Sequence, residues 1–241
     1  MYFKMKKINI AKVLEFYKES LVKKIDLSSL YSRSKIAHKW KLTYRLIVLR
    51  EAISWRFVDI LSQAYSNGTQ GMTIGSLILT RAALETVCLL IYMNNKMQSV
   101  IDRKMSFDNF EQITIRLLLG VKNIDKLPAP VNIMKVIEDS ESKYPGIKKT
   151  YHDLCEIVHP NYRGLCYGYT KTNQQEYETE FGIFFEEKFG NQYESMIEKC
   201  LKTFEEEYND WKKHFEKLEN WLEKNDNKLE RQRNKKLKKN V

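Results

Sequence analysis

The segment that most constrains the fold is residues 74–97, where apolar side chains cover most of the circumference of a helix. A helix of this kind needs neighbours on several sides, so we expect it to be the central helix of a bundle. Arg81 and Glu85 interrupt its most apolar window, residues 75–93. Each charge would cost about 2.5–3.5 kcal/mol at the centre of a bilayer. We therefore predict a buried helix and no membrane partner.

Glycine and proline are scarce, at 9 and 4 of 241 residues, which favours long helices over a turn-rich fold. Periodic apolar positions and stop signals predict further helices. They span residues 8–25, 34–65, 107–119, 131–140, 146–158 and 191 to nearly the end. Apolar and aromatic residues flanking a polar stretch predict a β-hairpin within residues 164–185. The expected fold class is a mainly α, multi-helix bundle with a small hairpin and a long C-terminal helix, which either covers the bundle, as we favour, or forms a homodimer seam.

The net charge of +10 is concentrated at the two ends of the chain. Residues 1–24 carry a surplus of five positive charges and residues 224–240 a surplus of six. We predict one helical domain over residues 1–223 and a basic C-terminal tail over residues 224–241. Such a tail attracts nucleic acid or an anionic membrane, or is a solubilising, frayed helix end. The nucleic-acid-binding candidates in it are Arg231, Arg233, Lys235 and Lys236.

The four cysteines are widely spaced and form no CxxC pair, so we expect reduced thiols in apolar surroundings. They are Cys88, Cys155, Cys166 and Cys200. The start of the sequence has no apolar stretch long enough for a secretory signal, which predicts a cytoplasmic location.

Arg81 and Glu85 are four residues apart on the central helix, so their side chains share one helix face and can pair. Pairing makes burial of either charge tolerable. Two interpretations stay open: a functional pair, or a structural ion pair that fixes helix register.

A second polar cluster ends the helix that precedes Pro160, because proline disfavours helical geometry at the residue before it. His159 would act there as a general acid or base, with amide hydrogen bonds from Asn161 and charge from Arg163, a further nucleic-acid-binding candidate. Alternatively, His159 only interacts with the carbonyl end of the helix, and Asn161 and Gly164 only shape the turn. His152, Glu156 and His159 also share a stripe that would suit a metal-dependent hydrolase. No second Glu-x-x-His pair accompanies them, so we expect neither a metal nor another cofactor.

The chain also resembles a known group of proteins over residues 70–185. The motifs are Leu-x-Arg81-x-x-x-Glu85, Asn132-Ile-Met, Tyr151-x-x-Leu-Cys-Glu-x-x-His159-Pro-Asn and a Gly-Tyr hairpin. Together they resemble uncharacterised bacterial helical proteins of the abortive-infection type, some of them in or near the HEPN superfamily. This resemblance implies a helical, often dimeric protein that acts on or binds RNA in a defence or toxin-type system, in many members as a metal-independent endoribonuclease.

The hallmark of that superfamily is an arginine followed after four to six residues by a histidine. Positions 152–154, which should supply the arginine for His159, hold His, Asp and Leu, whereas Arg33-Ser-Lys-Ile-Ala-His38 has the required spacing.

The leading hypothesis joins both polar clusters in one pocket. His159 is the acid or base, Arg81 stabilises phosphate charge, Glu85 orients Arg81 and Asn161 positions the RNA. The alternative is a noncatalytic interaction module, such as an antitoxin-like subunit with a protein partner, in which the Arg81–Glu85 pair is structural.

Overall fold

The computed structural model describes residues 9–190 and 192–239, and ten α-helices, a π-helical turn and one β-hairpin lie along them. The elements are α1 (Ile10–Ser20), α2 (Leu27–Arg33), α3 (Lys35–His38), α4 (Lys41–Thr69), α5 (Thr73–Ile101), α6 (Phe107–Leu119), α7 (Ile133–Glu141), α8 (Ile147–Val158), the π-helical turn (Tyr162–Tyr167), β1 (Thr170–Asn173), β2 (Glu178–Phe181), α9 (Phe185–Phe189) and α10 (Tyr193–Lys239). The predicted mainly helical class, the hairpin and the long last helix are confirmed. Residues 1–8 and 240–241, which belong to the predicted basic ends, lie outside the described residues.

Short polar side chains mark the helix starts, and one of them corrects the sequence prediction. Ser34 Oγ accepts the backbone N–H of Ala37 at 3.1 Å and so begins only the four-residue α3. The chain then turns at Lys39 and Trp40, and Thr43 Oγ1 donates to the carbonyl of Trp40 at 3.0 Å. The single helix predicted over residues 34–65 is therefore wrong in its first turns, because a local side-chain-to-backbone hydrogen bond competes with helix continuation there.

Helix α5 has fully buried residues around most of its circumference, among them Leu77, Val87, Leu90 and Met93. It is the described helix whose length and composition would also suit a membrane span, and 56% of its most apolar 18-residue window is buried inside the protein. This is the packing expected of a central helix.

The described chain forms two compact units. Unit 1 contains residues 9–21, 53–89, 133–190 and 192–206. In its core the ring of Phe57 stacks on Phe204 at 4.4 Å, and Tyr17 meets Phe204 edge-on at 5.1 Å. Unit 1 therefore has an aromatic core of its own.

Unit 2 contains residues 22–52, 90–132 and 207–239. Its core includes a stacked pair, Trp211 and Phe215, at 4.5 Å, and an edge-to-face pair, Trp40 and Phe107, at 5.2 Å. The boundary predicted between residues 223 and 224 falls inside α10.

The hairpin agrees with the sequence prediction, whereas the cysteines agree with it only in part. Strands β1 and β2 pair antiparallel, with Thr170 opposite Phe181. All four cysteines are free thiols; Cys88 and Cys200 are buried, and desolvation raises the pKa of each to about 12. Cys166 is exposed on the π-helical turn, so its predicted apolar surroundings are wrong.

Candidate functional site

The predicted Arg81–Glu85 pair forms within unit 1. Arg81 Nε donates to Glu85 Oε1 at 3.2 Å, and the guanidinium carbon lies 5.8 Å from the centre of the Tyr151 ring. Desolvation, followed by a hydrogen bond with Cys155, raises the pKa of Tyr151 to about 12. The side chains of Arg81 and Glu85 keep 25% and 28% of their surface exposed. The predicted pairing therefore occurs, with both side chains only partly buried.

His159 lies at the end of α8, as predicted. Its backbone N–H donates to the carbonyl of Cys155 at 2.9 Å, and its extended backbone ends the helix before Pro160. The side chain is exposed, and it makes no hydrogen bond or ion pair within residues 9–190 and 192–239. An exposed imidazole without a partner is accessible to solute.

Asn161 shapes the turn after α8, as the alternative interpretation of this cluster predicted. Its Oδ1 accepts the backbone N–H groups of Arg163 at 3.0 Å and Gly164 at 3.1 Å, which caps the π-helical turn. Its Nδ2 donates to Glu156 Oε2 at 2.7 Å. The amide proposed to position RNA is therefore already engaged with the protein.

Gly164 explains why the turn after His159 is so tight. A Cβ atom at this position would collide with the carbonyl oxygens of His159 and Ile157. Gly164 is also buried, so this close approach of two backbone segments fixes the path of the chain beyond His159.

The two predicted clusters are not in hydrogen-bonding contact. Among the residues that the structure describes, no hydrogen bond or ion pair joins Arg81 or Glu85 to His159 or Asn161. Arg163 is exposed in the same part of unit 1. The shared pocket, and the roles given to its four residues, stay predictions.

The described chain contains no group of three His, Cys, Asp or Glu residues arranged to hold a metal ion. Of the three ligands considered, Glu156 accepts the hydrogen bond from Asn161, and His152 and His159 are exposed.

The more deeply buried cluster lies in unit 2 and contains the Arg33–His38 spacing. His38 Nε2 lies 2.8 Å from Glu219 Oε1, and His38 Nδ1 is hydrogen-bonded to Thr43 Oγ1 at 3.1 Å. Arg33 donates to the same carboxylate of Glu219. Glu219 and Thr43 were not expected in this cluster from the sequence. The only sequence signal for the cluster was the spacing of Arg33 and His38.

Burial determines what this cluster can do chemically. The side chain of His38 is 2% exposed and that of Glu219 is 9% exposed. Desolvation lowers the pKa of His38, although the charge of Glu219 acts in the opposite direction. An imidazole so enclosed cannot reach a bound polymer, so the cluster holds α2 and α3 to α10 within unit 2.

The C-terminal part of α10 carries a regular row of cations that we call the basic stripe. Its members are separated by four, three, four and three residues, which places them within about 80° of arc on a helix of 3.6 residues per turn. All are exposed and without a hydrogen bond or ion pair in the described chain. They are Lys224, Lys228, Arg231, Lys235 and Lys238.

The opposite side of this helix is anchored. Asp226 accepts from Lys39 Nζ at 2.6 Å and from Trp40 Nε1 at 3.0 Å, while Glu230 accepts from Lys39 Nζ at 2.7 Å. Leu229 is buried. This part of α10 is therefore a packed helix with one free basic face.

The predicted nucleic-acid-binding residues of α10 divide between these two surroundings, while Arg163, predicted with them, is exposed on the π-helical turn. Arg231 and Lys235 belong to the basic stripe. Arg233 lies over the Trp40 ring at 6.0 Å, and Lys236 pairs with Asp108. The spacing of the basic stripe is visible in the sequence and could have separated these two groups.

The fold thus defines a mainly α-helical protein with a basic helix face. Comparison with protein-family models, curated proteins and solved structures finds no match to the chain.

Proposed function

We propose that this protein binds RNA through the basic stripe. The observation that carries the proposal is the set of five exposed, unpartnered cations on one side of α10. Cations of this kind neutralise phosphates and release condensed counterions, which supplies most sequence-independent affinity. The stripe runs for about 21 Å at 1.5 Å per residue, a length that suits several successive phosphates.

The anchored face of α10 also supports this proposal. Because Asp226 and Glu230 hold Lys39 and Leu229 is buried, the five cations are presented by an ordered helix. A preorganised surface loses less side-chain and backbone freedom on binding than a disordered tail does. The resemblance to HEPN-type proteins supports RNA over other polyanions as the ligand, and it supports a role in a bacterial defence or toxin-type system.

The test is the salt dependence of affinity for a labelled single-stranded RNA, measured by fluorescence anisotropy. The variant replaces Lys224, Lys228, Arg231 and Lys235 with glutamine. Each lost phosphate contact should reduce the slope of log affinity against log salt by about 0.7, so four should reduce it by about 3. Truncation at residue 223 is a poorer test, because it also removes the anchoring contacts of Asp226 and Leu229.

The matched control removes four charges elsewhere on α10, at Lys202, Lys212, Lys213 and Lys217, all exposed. It should leave the slope within about one contact of the wild-type value. Equal loss in both variants would show that net charge alone attracts RNA and would contradict the assignment to the basic stripe.

We also propose that the protein cleaves the RNA that it binds, with His159 as the acid or base. The specific observation in favour is that its imidazole is exposed and free of hydrogen bonds within the described chain. Growth and total RNA integrity are followed in a bacterial host that expresses the wild type, His159→Ala or the control His152→Ala, which changes an exposed histidine in the middle of α8. Growth arrest with RNA fragmentation should be lost only in His159→Ala. Fragmentation that persists in that variant would exclude His159 as the acid or base.

The second candidate function is a noncatalytic interaction module with a structural Arg81–Glu85 pair. The observation in its favour is that Arg81 already pairs with Glu85 and lies over the ring of Tyr151. In this case all three expressed proteins should be equally harmless and equally soluble, while the binding experiment still reports on the basic stripe.

A further inference from the structure

Unit 1 contains a cavity of about 310 Å³ between α5, α8 and the first turns of α10. Its deepest residues come from all three helices. Thr80 and Leu84 belong to α5, Leu154 to α8 and Cys200 to α10, and each is buried. The floor is therefore apolar apart from the hydroxyl of Thr80, which already donates to the carbonyl of Ser76 at 2.8 Å.

The mouth of the cavity has a different chemistry. Lys199 is exposed there, and it makes no hydrogen bond or ion pair within the described chain. Among the described residues that line the cavity, it is the only charged one. Thr150 and Thr203 add half-buried hydroxyls to the wall.

This arrangement determines what could bind. Ligand sites typically have volumes of roughly 300–1,000 Å³ and combine a mainly apolar lining with a few placed polar groups. An apolar floor below a single cation matches a molecule with an apolar body and one negative head. A polyanion would not enter the floor, and a cationic amphiphile would meet Lys199 with like charge.

We propose that this cavity binds a small amphipathic carboxylate, with its hydrocarbon body against Leu84 and Leu154 and its carboxylate at Lys199. This proposal is independent of RNA binding, because none of the residues that line the cavity belongs to the basic stripe. It also does not involve Arg81, which lies on α5 between Thr80 and Leu84 but does not line the cavity.

The test uses three probes that share one tail and differ in their heads: octanoate, octanol and octylamine. Binding to the full chain is measured by isothermal titration calorimetry. Octanoate should bind saturably at one site. Octanol should bind about fivefold more weakly, because it lacks one solvent-exposed charge interaction, and octylamine should bind most weakly. Equal affinity for all three, or no saturable binding of octanoate, would overturn the proposal.

Two variants and a control locate the site. Lys199→Glu should reverse the order of octanoate and octylamine, whereas Lys202→Glu, the same change at an exposed residue outside the cavity, should preserve it. Thr203→Trp should fill the cavity from its half-buried wall and abolish binding of all three probes. Unchanged helicity and unfolding temperature would show that this variant still folds. Octanoate binding unchanged in Lys199→Glu would show that the carboxylate lies elsewhere.

Discussion

The arginine–carboxylate pair Arg81–Glu85 of unit 1 and the pair Arg33–Glu219 of unit 2 are built differently. Arg81 and Glu85 are four residues apart on α5, and each keeps about a quarter of its side-chain surface exposed. Arg33 and Glu219 are separated by 186 residues, and Glu219 also meets His38, whose side chain is 2% exposed. Glu219 is the more buried of the two carboxylates, at 9% exposed against 28% for Glu85, whereas Arg33, at 47%, is more exposed than Arg81, at 25%. What the distant carboxylate adds is a second, buried partner, His38. Stability should therefore depend more on Glu219 than on Glu85.

The largest effect is expected for Glu219→Ala. This change leaves the buried imidazole of His38 and the half-exposed guanidinium of Arg33 without their shared carboxylate, and an unsatisfied buried polar group costs about 1–3 kcal/mol. Equilibrium unfolding in urea measures it. The control is Glu216→Ala, an exposed residue on the same helix, which should change the unfolding free energy by less than about 0.5 kcal/mol. A loss below about 1 kcal/mol at Glu219 would remove the contrast between the two pairs.

The next largest effect is expected in the pH dependence of the unfolding free energy, to which the buried His38 should contribute. Burial lowers the pKa of folded His38 below its ordinary value of 6.5, so the unfolded chain binds a proton at that site more readily. Stability should therefore be complete above pH 6.5 and fall as the pH drops below 6.5, with a slope of at most about 1.4 kcal/mol per pH unit from this group.

The same pH series is measured on His38→Gln and on the exposed control His159→Ala. Subtracting the His38→Gln curve isolates the contribution of His38 in its surroundings of Glu219, Arg33 and Glu223. A wild-type curve parallel to that of His38→Gln would show that His38 titrates equally in the folded and unfolded states.

A smaller effect is expected for Arg81→Ala. The ion pair with Glu85 is partly solvated, and the contact with Tyr151 adds a modest cation–π term, so the loss should be about 1 kcal/mol. Urea unfolding measures it, with Arg81→Lys as the variant that keeps the charge. A loss as large as that of Glu219→Ala would place the two pairs in one class.

The smallest effect is expected for His159→Ala. Its exposed side chain has no partner within the described residues, so the unfolding free energy should change by less than about 0.5 kcal/mol. Thermal unfolding gives the measurement. A large loss would reveal a structural role and would weaken His159 as a catalytic candidate.

Local rules predicted much of the fold. The end of α8 before Pro160, the hairpin and the Arg81–Glu85 pair each depend on residues close in sequence. The break before α4 was missed because the apolar helix period continues through it, while the hydrogen bond from Thr43 to the carbonyl of Trp40 forms only in the folded turn.

The candidate sites were less predictable, for two different reasons. The meeting of His38 with Glu219 is a tertiary contact, and no sequence period encodes it. The basic stripe, by contrast, is a local pattern, and its alternating spacing of four and three residues is already present in the sequence. The anchored face of α10 could not be predicted from the sequence, because Asp226 contacts Lys39 only in the folded chain.

The collision that a side chain would cause at Gly164 has a genetic consequence. In a library that randomises every codon, position 164 should return glycine alone, because even alanine would push its methyl group into two carbonyl oxygens. The neighbouring positions of Tyr162 and Leu165 are exposed and should accept many residues. A distant relative of this protein should therefore keep a glycine shortly after the end of α8, even where the charged residues at its termini differ.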